Sequence, residues 1–177
     1  DFTSFDANYD QDIRNFGPVV NWLEDFENTA DSLSNVIVYN TAGDAAWTYD
    51  DFSGNHFAEI NAFSAMSASE SWMIIPPVLL TGLDSAYFSF SNTKNFSGGS
   101  LDILISTDYD PDNSLDPSSA SWDTITANFA FSSGGYQDTN SGRFSLDGYL
   151  EQQVSLAFFY QGAPGGGNAT LWQIDDL

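Results

Sequence analysis

The 177-residue chain contains no cysteine and only three basic residues, Arg14, Lys94 and Arg143. The lack of cysteine excludes disulfides, thiolate metal sites and cysteine nucleophiles. Against 25 acidic residues, the three cations leave a formal net charge of −22. Nucleic-acid binding needs a basic patch, which three cations cannot form, and an anionic membrane surface would repel the chain. Carboxylates at this density instead suit divalent cations, or keep a secreted protein soluble.

Long hydrophobic runs and helix-forming sequences are also absent. No apolar segment reaches the length of a membrane span, and the N-terminus does not resemble a signal peptide. Twenty of the acids are aspartate and five are glutamate, and aspartate favours turns and oxygen-ligand metal sites over helices. Hydrophobic residues nevertheless make up 42% of the chain. We therefore predict one folded domain in which helix is the minority state.

Histidine occurs once, at His56. A histidine-rich zinc site is therefore excluded, and a Ser-His-Asp triad would depend on this single residue. Paired carboxylates for glycoside hydrolysis stay open because acids are numerous, but nothing in the sequence selects one pair. We predict that the protein is not an enzyme and that His56 has no catalytic role.

Short alternating segments separated by turn residues fill most of the chain. The clearest is LDILIS at residues 101–106, where side chains alternate between two faces. Strands this short and numerous leave no room for the crossover helices of a parallel sheet. About ten strands with turn signals between them predict an all-β antiparallel sandwich or barrel. Pro76 and Pro77 should end one strand, because proline cannot donate to the ladder. The predicted strand segments are residues 36–40, 45–49, 56–63, 71–75, 86–90, 101–106, 123–131, 153–160 and 171–175.

Several stretches occur in an order that resembles a known domain. They are EDFEN at residues 24–28, AAWTYDDFSGNHFAEINAF…SWMIIPPVLL at 45–80, LDILISTDYD at 101–110 and the closing WQIDDL. In this order they resemble the cleaved-adhesin, or choice-of-anchor J, domain of secreted bacterial surface proteins. One departure is WMIIPP, where WLITP is commoner. The resemblance implies an antiparallel jelly-roll β-sandwich with structural calcium, which serves adhesion or carbohydrate binding without catalysis at the cell surface or in secreted form.

Residues 1–22 lie outside this resemblance, and they are polar and rich in asparagine and aspartate. We predict an N-terminal arm or linker here, followed by the jelly-roll domain at residues 23–177. An alternative function follows from the arm, which could pair with the sheet edge of a neighbouring copy. The protein would then be a structural subunit of a surface fibre or oligomer.

Two adjacent aspartates, Asp175 and Asp176, stand at the end of the last predicted strand. Calcium takes roughly six to eight oxygen ligands, several of them carboxylates. The first and last strands of a jelly roll can lie side by side, which would bring Asp25 and Glu27 close to the two aspartates. Asp44 matches a position that often joins such sites in the family. The resemblance thus implies a structural Ca²⁺ at these five acids, whereas the residues alone favour solvated strand ends.

A second acidic cluster is STDYDPDNSLDPSS at residues 106–119. It begins with alternating acids like an EF-hand loop, but it lacks the central glycine and the closing glutamate. We predict a surface loop here rather than a second ion site.

Aromatic residues beside polar turns are the candidates for ligand binding. Sugar rings present apolar C–H faces, so carbohydrate modules often expose flat aromatic side chains next to hydrogen-bonding groups. On this basis Tyr49, Tyr109, Trp122 and Tyr136 are predicted to bind a polysaccharide or surface glycan, although each could instead cap an edge of the core. The net charge favours neutral or cationic polymers.

The residues predicted to be buried are Trp72, Ile103, Ile105, Leu156, Phe158 and Trp172.

Overall fold

A computed structural model describes residues 22–28, 33–165 and 167–177 of the chain. Within these ranges the chain forms twelve strands, three single-turn 3-10 helices and no α-helix, which confirms the predicted all-β class. None of the described helical turns is long and apolar enough to cross a membrane. The strands are β1 (Ile37–Ala42), β2 (Thr48–Phe52), β3 (Asn55–Ile60), β4 (Ser69–Leu79), β5 (Tyr87–Phe88), β6 (Ser91–Asn95), β7 (Ser100–Ser106), β8 (Asp123–Thr124), β9 (Thr139–Asn140), β10 (Phe144–Ser145), β11 (Gln153–Gly162) and β12 (Leu171–Asp175).

Ten of these strands form two five-stranded sheets. The first sheet has the order β1-β4-β11-β7-β8 and the second β2-β3-β12-β6-β9, while β5 and β10 pair separately. Every pairing is antiparallel. The chain passes directly from one five-stranded sheet to the other between β1 and β2, β3 and β4, β6 and β7, β8 and β9, and β11 and β12, which is the connectivity of a jelly roll. The predicted antiparallel jelly-roll sandwich is therefore confirmed.

Aromatic side chains fill the space between the two sheets. Phe158 of β11 is fully buried at the centre, with its ring 5.0 Å from that of Phe90 at an interplanar angle of 85°. Trp47 packs against the Phe158 ring in an edge-to-face arrangement, with the ring centroids 6.4 Å apart. Such arrangements are favoured by the ring quadrupole in addition to the burial of apolar area. The predicted burial is confirmed for Ile103, Ile105, Leu156, Phe158 and Trp172.

The predicted core position of Trp72 is wrong. Its neighbours Ser71 and Met73 are fully buried and face inward, so Trp72 points to the outer face of the first sheet and is only half-buried. The run SWMII is apolar on both faces because the outer face around Ile74 is also covered. An apolar run of this kind does not reveal which face is the core.

The predicted end of a strand at Pro76 is also wrong, since β4 continues through both prolines to Leu79. On one side, the edge strand β1 pairs with β4 only as far as Ile74. On the other side, the register with β11 shifts between Val154 and Leu156, so the two prolines form a bulge in β4 opposite the single residue Ser155. The prolines therefore sit where the ladder needs no donor from them.

The strand predicted at residues 123–131 is largely replaced by a turn. Only β8 forms, and a 3-10 turn follows at Thr126–Asn128. The Ile103 amide donates to Oγ1 of Thr126 at 2.8 Å, so a side chain takes the place of the next backbone partner. In contrast, β6 has the polar sequence SNTKN, and no strand was predicted there.

Replacement of Phe158 with alanine should lower the free energy of unfolding by about 3–5 kcal/mol, because it leaves a cavity among packed rings. The matched control is Phe52→Ala, since Phe52 is 75% exposed and should change stability by less than about 0.5 kcal/mol. Urea denaturation monitored by tryptophan fluorescence measures both. Equal losses for the two variants would contradict the assigned core.

Candidate functional site

A loop at residues 107–122 folds over the outer face of the first sheet. Its Tyr109 is 2% exposed and packs with Ile74, Leu104 and Ala157 in a second apolar cluster, separate from the main core. The Tyr109 hydroxyl donates to a backbone carbonyl of the same loop at 3.0 Å. The exposure predicted for Tyr109 is therefore wrong, because its ring anchors the loop and offers no free face to a ligand.

The acids of this loop hold its turns. Oδ1 of Asp108 accepts from the Ser121 amide, and Oδ1 of Asp116 accepts from the Ser118 amide, each at 2.9 Å. These hydrogen bonds hold the pKa of both carboxyls below its usual range, because they stabilise the charged form. The carboxylates thus close the loop on itself, as a surface loop requires.

A row of aromatic side chains crosses the outer face beside this loop. Tyr39 of β1, Trp72 of β4 and Phe159 of β11 are direct cross-strand neighbours, and all three are half-buried. The Trp72 and Phe159 rings lie 4.4 Å apart at 31°, and Trp122 of the covering loop packs 5.4 Å from Trp72. We refer to Tyr39, Trp72 and Phe159 as the aromatic row.

A polar row lies two residues further along the same strands and consists of Thr41, Glu70 and Gln161. The two carboxylate oxygens of Glu70 accept from Thr41 Oγ1 and from Gln161 Nε2, each at 3.2 Å. Asp102 lies opposite Phe159 at the end of the aromatic row and accepts from a threonine hydroxyl at 3.2 Å. Flat rings beside hydroxyl, amide and carboxylate groups can stack on a sugar ring and hydrogen-bond its hydroxyls.

The four aromatic residues predicted to bind ligand do not come together. Trp122 lies beside the aromatic row, half-buried, with its Nε1 donating to a backbone carbonyl at 2.9 Å. Tyr49 packs against the core, and its ring stacks on that of His56 at 5.3 Å. Tyr136 is 53% exposed, near β6 of the second sheet. Only Trp122 is thus placed to act together with the aromatic row.

Four of the five acids predicted to bind calcium lie at one end of the sandwich, which we call the acidic end. Glu24 and Leu177 exchange backbone hydrogen bonds of 3.3 and 3.0 Å there, so the first and last described segments lie side by side as predicted. The four acids at this end are Asp25, Glu27, Asp175 and Asp176.

Asp44 is not part of this group. It lies at the opposite end of the sandwich, just before β2, where both its carboxylate oxygens accept from the Met66 amide at 3.1 and 3.2 Å. Asp175 ends β12, so the length of the strands separates the two acids. Asp44 therefore cannot share an ion with the acids of the acidic end.

Three of the four acids at the acidic end already accept hydrogen bonds, and Asp25 does so from the Glu27 amide at 3.2 Å. Oε1 of Glu27 accepts from the His56 amide, and Oε2 lies 3.0 Å from Nδ1 of His56. Oδ2 of Asp175 accepts from Asn55 at 3.0 Å. Burial raises the pKa of Asp175 to about 6 despite that hydrogen bond, and the charges of Asp176 and Glu27 act in the same direction as burial. Among the described residues, no three Asp, Glu or His side chains are close enough to hold a metal ion together.

No protein-family model and no curated protein sequence matches the chain. Among solved structures, the chain is similar to TmCBM61, solved in complex with β-1,4-galactotriose. The likeness has a TM-score of 0.55 at 10% sequence identity, and it covers 89% of this chain and 96% of the other. The cleaved-adhesin resemblance of the sequence stays a prediction, because no family model supports it.

Two further similar structures have TM-scores below 0.5. One is a structure of carbohydrate-binding modules from the β-sandwich superfamily, with a TM-score of 0.45, 10% identity, and coverage of 86% of this chain and 60% of the other. The second is the enzymatically active domain of tailspike protein 4 from bacteriophage CBA120, with a TM-score of 0.46, 12% identity, and coverage of 92% and 22%. The likeness to TmCBM61 shows that the chain has the β-sandwich fold of that module.

Proposed function

We propose that the protein is a non-catalytic carbohydrate-binding module, secreted or displayed at the cell surface, that binds a neutral or cationic glycan. The observation that carries this proposal is the aromatic row with the polar row beside it on the outer face of a β-sandwich. The aromatic rings would stack on the C–H faces of the sugars, and Gln161 and Glu70 would hydrogen-bond their hydroxyls. That TmCBM61 shares the fold and was solved with a galactotriose supports the same function.

The charge of the protein narrows the class of glycan. With a net charge of −22, the chain would repel a sulfated or uronate-rich polymer. Two of its acids, Glu70 and Asp102, stand directly beside the aromatic row. We therefore expect an uncharged polysaccharide, or one that carries amino groups.

The same two acids serve as acceptors of hydrogen bonds and not as a catalytic pair in this proposal. Each accepts from neighbouring hydroxyl or amide groups in the folded protein, and so each can exchange that partner for a sugar hydroxyl. His56, the single histidine, is held by Glu27 at the acidic end, away from the aromatic row. Binding without bond cleavage is the function that this arrangement supports best.

We also propose a structural calcium ion at the acidic end. The support is the proximity of Glu27 and Asp176 to the half-buried carboxyl of Asp175, because a cation would offset both the burial and the like charges that raise the pKa of Asp175. Since no three described acids converge, binding requires that Glu27 turn away from His56 towards Asp175.

Fibre assembly through the N-terminal arm stays a prediction, because residues 1–21 lie outside the described residues.

Loss of one stacking ring should weaken glycan binding about fivefold, because an aromatic contact contributes roughly 1 kcal/mol beyond its buried area. We expect this for Tyr39→Ala, and a similar loss for Gln161→Ala, which removes a hydrogen bond. Isothermal calorimetry against a panel of neutral and acidic oligosaccharides measures it, starting with β-1,4-galacto-oligosaccharides. Phe52→Ala is the control and should bind as the unchanged protein does. If no oligosaccharide binds the unchanged protein, the proposed function is wrong.

Removal of calcium should lower the melting temperature by about 5 °C or more, because saturating ligand at a hundred times its dissociation constant adds about 2.7 kcal/mol to stability. Differential scanning calorimetry at pH 8, with calcium and with a chelator, measures this difference. Asp176→Asn should abolish most of the difference, whereas Asp44→Asn should preserve it. Identical melting curves with and without chelator would refute the calcium site.

The calcium-free protein should become less stable as the pH rises through about 6. The folded state holds the proton of Asp175 to about pH 6, whereas the unfolded chain releases it near pH 4, so this stabilisation is complete below about pH 4 and lost above 6. Asp175→Asn should flatten this part of the stability profile. Urea titrations in chelator at pH 5 and pH 8 test the expectation, which fails if the variant keeps the slope of the unchanged protein.

A further inference from the structure

Five loops meet at the end of the sandwich opposite the acidic end, and together we call them the loop end. The strand registers place them there, because each precedes or follows a strand end on the side of Ile60, Asn95 and Leu171. Backbone hydrogen bonds join three of them, from Gly165 to Phe63 and from Gly99 to Asn168, and the Tyr136 amide of a fourth loop donates to Lys94 in β6. The loops are residues 43–47, 61–68, 96–99, 125–138 and the described part of 163–170, namely 163–165 and 167–170.

The loop end is almost free of charge. The chain has 25 acidic residues, yet these five loops contain only Asp44 and Asp138. The carboxylate of Asp44 is occupied by the Met66 amide. Strands rise about 3.3 Å per residue, so the six residues of β3 separate the two ends by roughly 20 Å. This exceeds the Debye length of about 8 Å at physiological salt, and the charges of the acidic end are therefore largely screened at the loop end.

Large apolar side chains project from this uncharged surface. Phe63, Met66, Phe96 and Tyr136 are 60%, 88%, 54% and 53% exposed. Around them the loops consist mainly of glycine, serine, alanine, asparagine and threonine. The surface thus combines exposed rings with small hydrogen-bonding groups, and it has little charge to hydrate.

Two of these aromatic residues occupy a backbone conformation that favours glycine. Phe96 has a φ of 62° and Tyr136 a φ of 59°, in the left-handed region that residues with a Cβ rarely adopt. Glycine would satisfy both turns with less strain, so the turns alone do not explain why rings stand there. The loop of Phe96 is also held tightly, because a Cβ at Gly98 would clash with the backbone of Asn168. The two rings are therefore presented at a cost in conformational energy.

We propose that the loop end is a second binding surface, which adsorbs to the face of an insoluble neutral polysaccharide. This inference rests on the proposed function. An extended polysaccharide surface offers uncharged C–H faces and hydroxyls, which match exposed rings surrounded by small polar residues. It also lacks the fixed charge that the rest of this molecule would repel or attract. The aromatic row would bind single sugar chains, and the loop end would bind their packed surface.

The strained positions allow a variant that removes the rings without unfolding the protein. Phe96→Gly with Tyr136→Gly deletes both aromatic groups and relieves the backbone strain, so its melting temperature should stay equal or rise. Ser53→Gly is the matched control, since Ser53 also has a positive φ, of 56°, and lies in the β2–β3 turn away from the loop end. The probes are microcrystalline cellulose, β-chitin and insoluble β-1,3-glucan in a pull-down assay.

We expect the double variant to lose adsorption at least tenfold on the polysaccharide that the unchanged protein binds, while its calorimetric affinity for soluble oligosaccharides is unchanged. Tyr39→Ala should weaken the calorimetric affinity for soluble oligosaccharides and leave adsorption to the solid polysaccharide unchanged. Adsorption of the double variant equal to that of Ser53→Gly would overturn the inference, as would failure of the unchanged protein to adsorb to any of the three solids. Absence of soluble binding would instead refute the proposed function. If sedimentation shows dimers that the double variant abolishes and no solid is bound, the loop end is a contact between copies, and the polysaccharide inference is wrong.

Discussion

Burial of aromatic rings between the two sheets is the interaction on which the structure depends. With 25 acids and three basic residues, the chain cannot stabilise itself by pairing charges. Within the described residues, the one contact between acidic and basic side chains at ion-pair distance is that of Glu27 with His56. The apolar area removed from water around Phe158 and Phe90 must therefore offset both chain entropy and the mutual repulsion of the acids.

This dependence explains how the remaining residues are distributed. Acids stand where water reaches them or where backbone amides can neutralise them, as at Asp108 and Asp116. Two groups of aromatic residues lie outside the main core, one on the outer face of the first sheet and one at the loop end. The first set is partly covered by the loop of Tyr109, and the second stands free. The acidic end, the aromatic row with its neighbouring polar groups, and the loop end are thus three chemically different regions on one fold.

The architecture followed from the sequence to a large extent, because period-two alternation and turn residues report local structure directly. LDILIS gave both its strand and its inward face, and the approach of the two chain segments at Glu24 and Leu177 followed from the jelly-roll expectation. The errors came from contacts between elements. The predicted core position of Trp72 is wrong because nothing local shows that a distant loop also covers the outer face of β4. The predicted exposure of Tyr109 is wrong for the same reason.

The candidate site was less accessible to prediction than the fold. Tyr39, Trp72 and Phe159 become neighbours only through the pairing of β1, β4 and β11, and strand order cannot be read from alternation. The signal that could have found them is an aromatic residue two positions from a polar one in each strand, at 39 and 41, 70 and 72, and 159 and 161. The loop end was similarly hidden, because its lack of acids emerges only when five separate segments are brought together.

The pairing of Glu24 with Leu177 also fixes a direction for the molecule. Leu177 lies at the acidic end, so a polypeptide joined to it would leave from that side. Phe96 and Tyr136, which lie at the loop end, would then point away from that polypeptide. The aromatic row would lie along the flank. The loop end would therefore meet an extended polysaccharide surface first. A single sugar chain of that surface could then bind to the aromatic row.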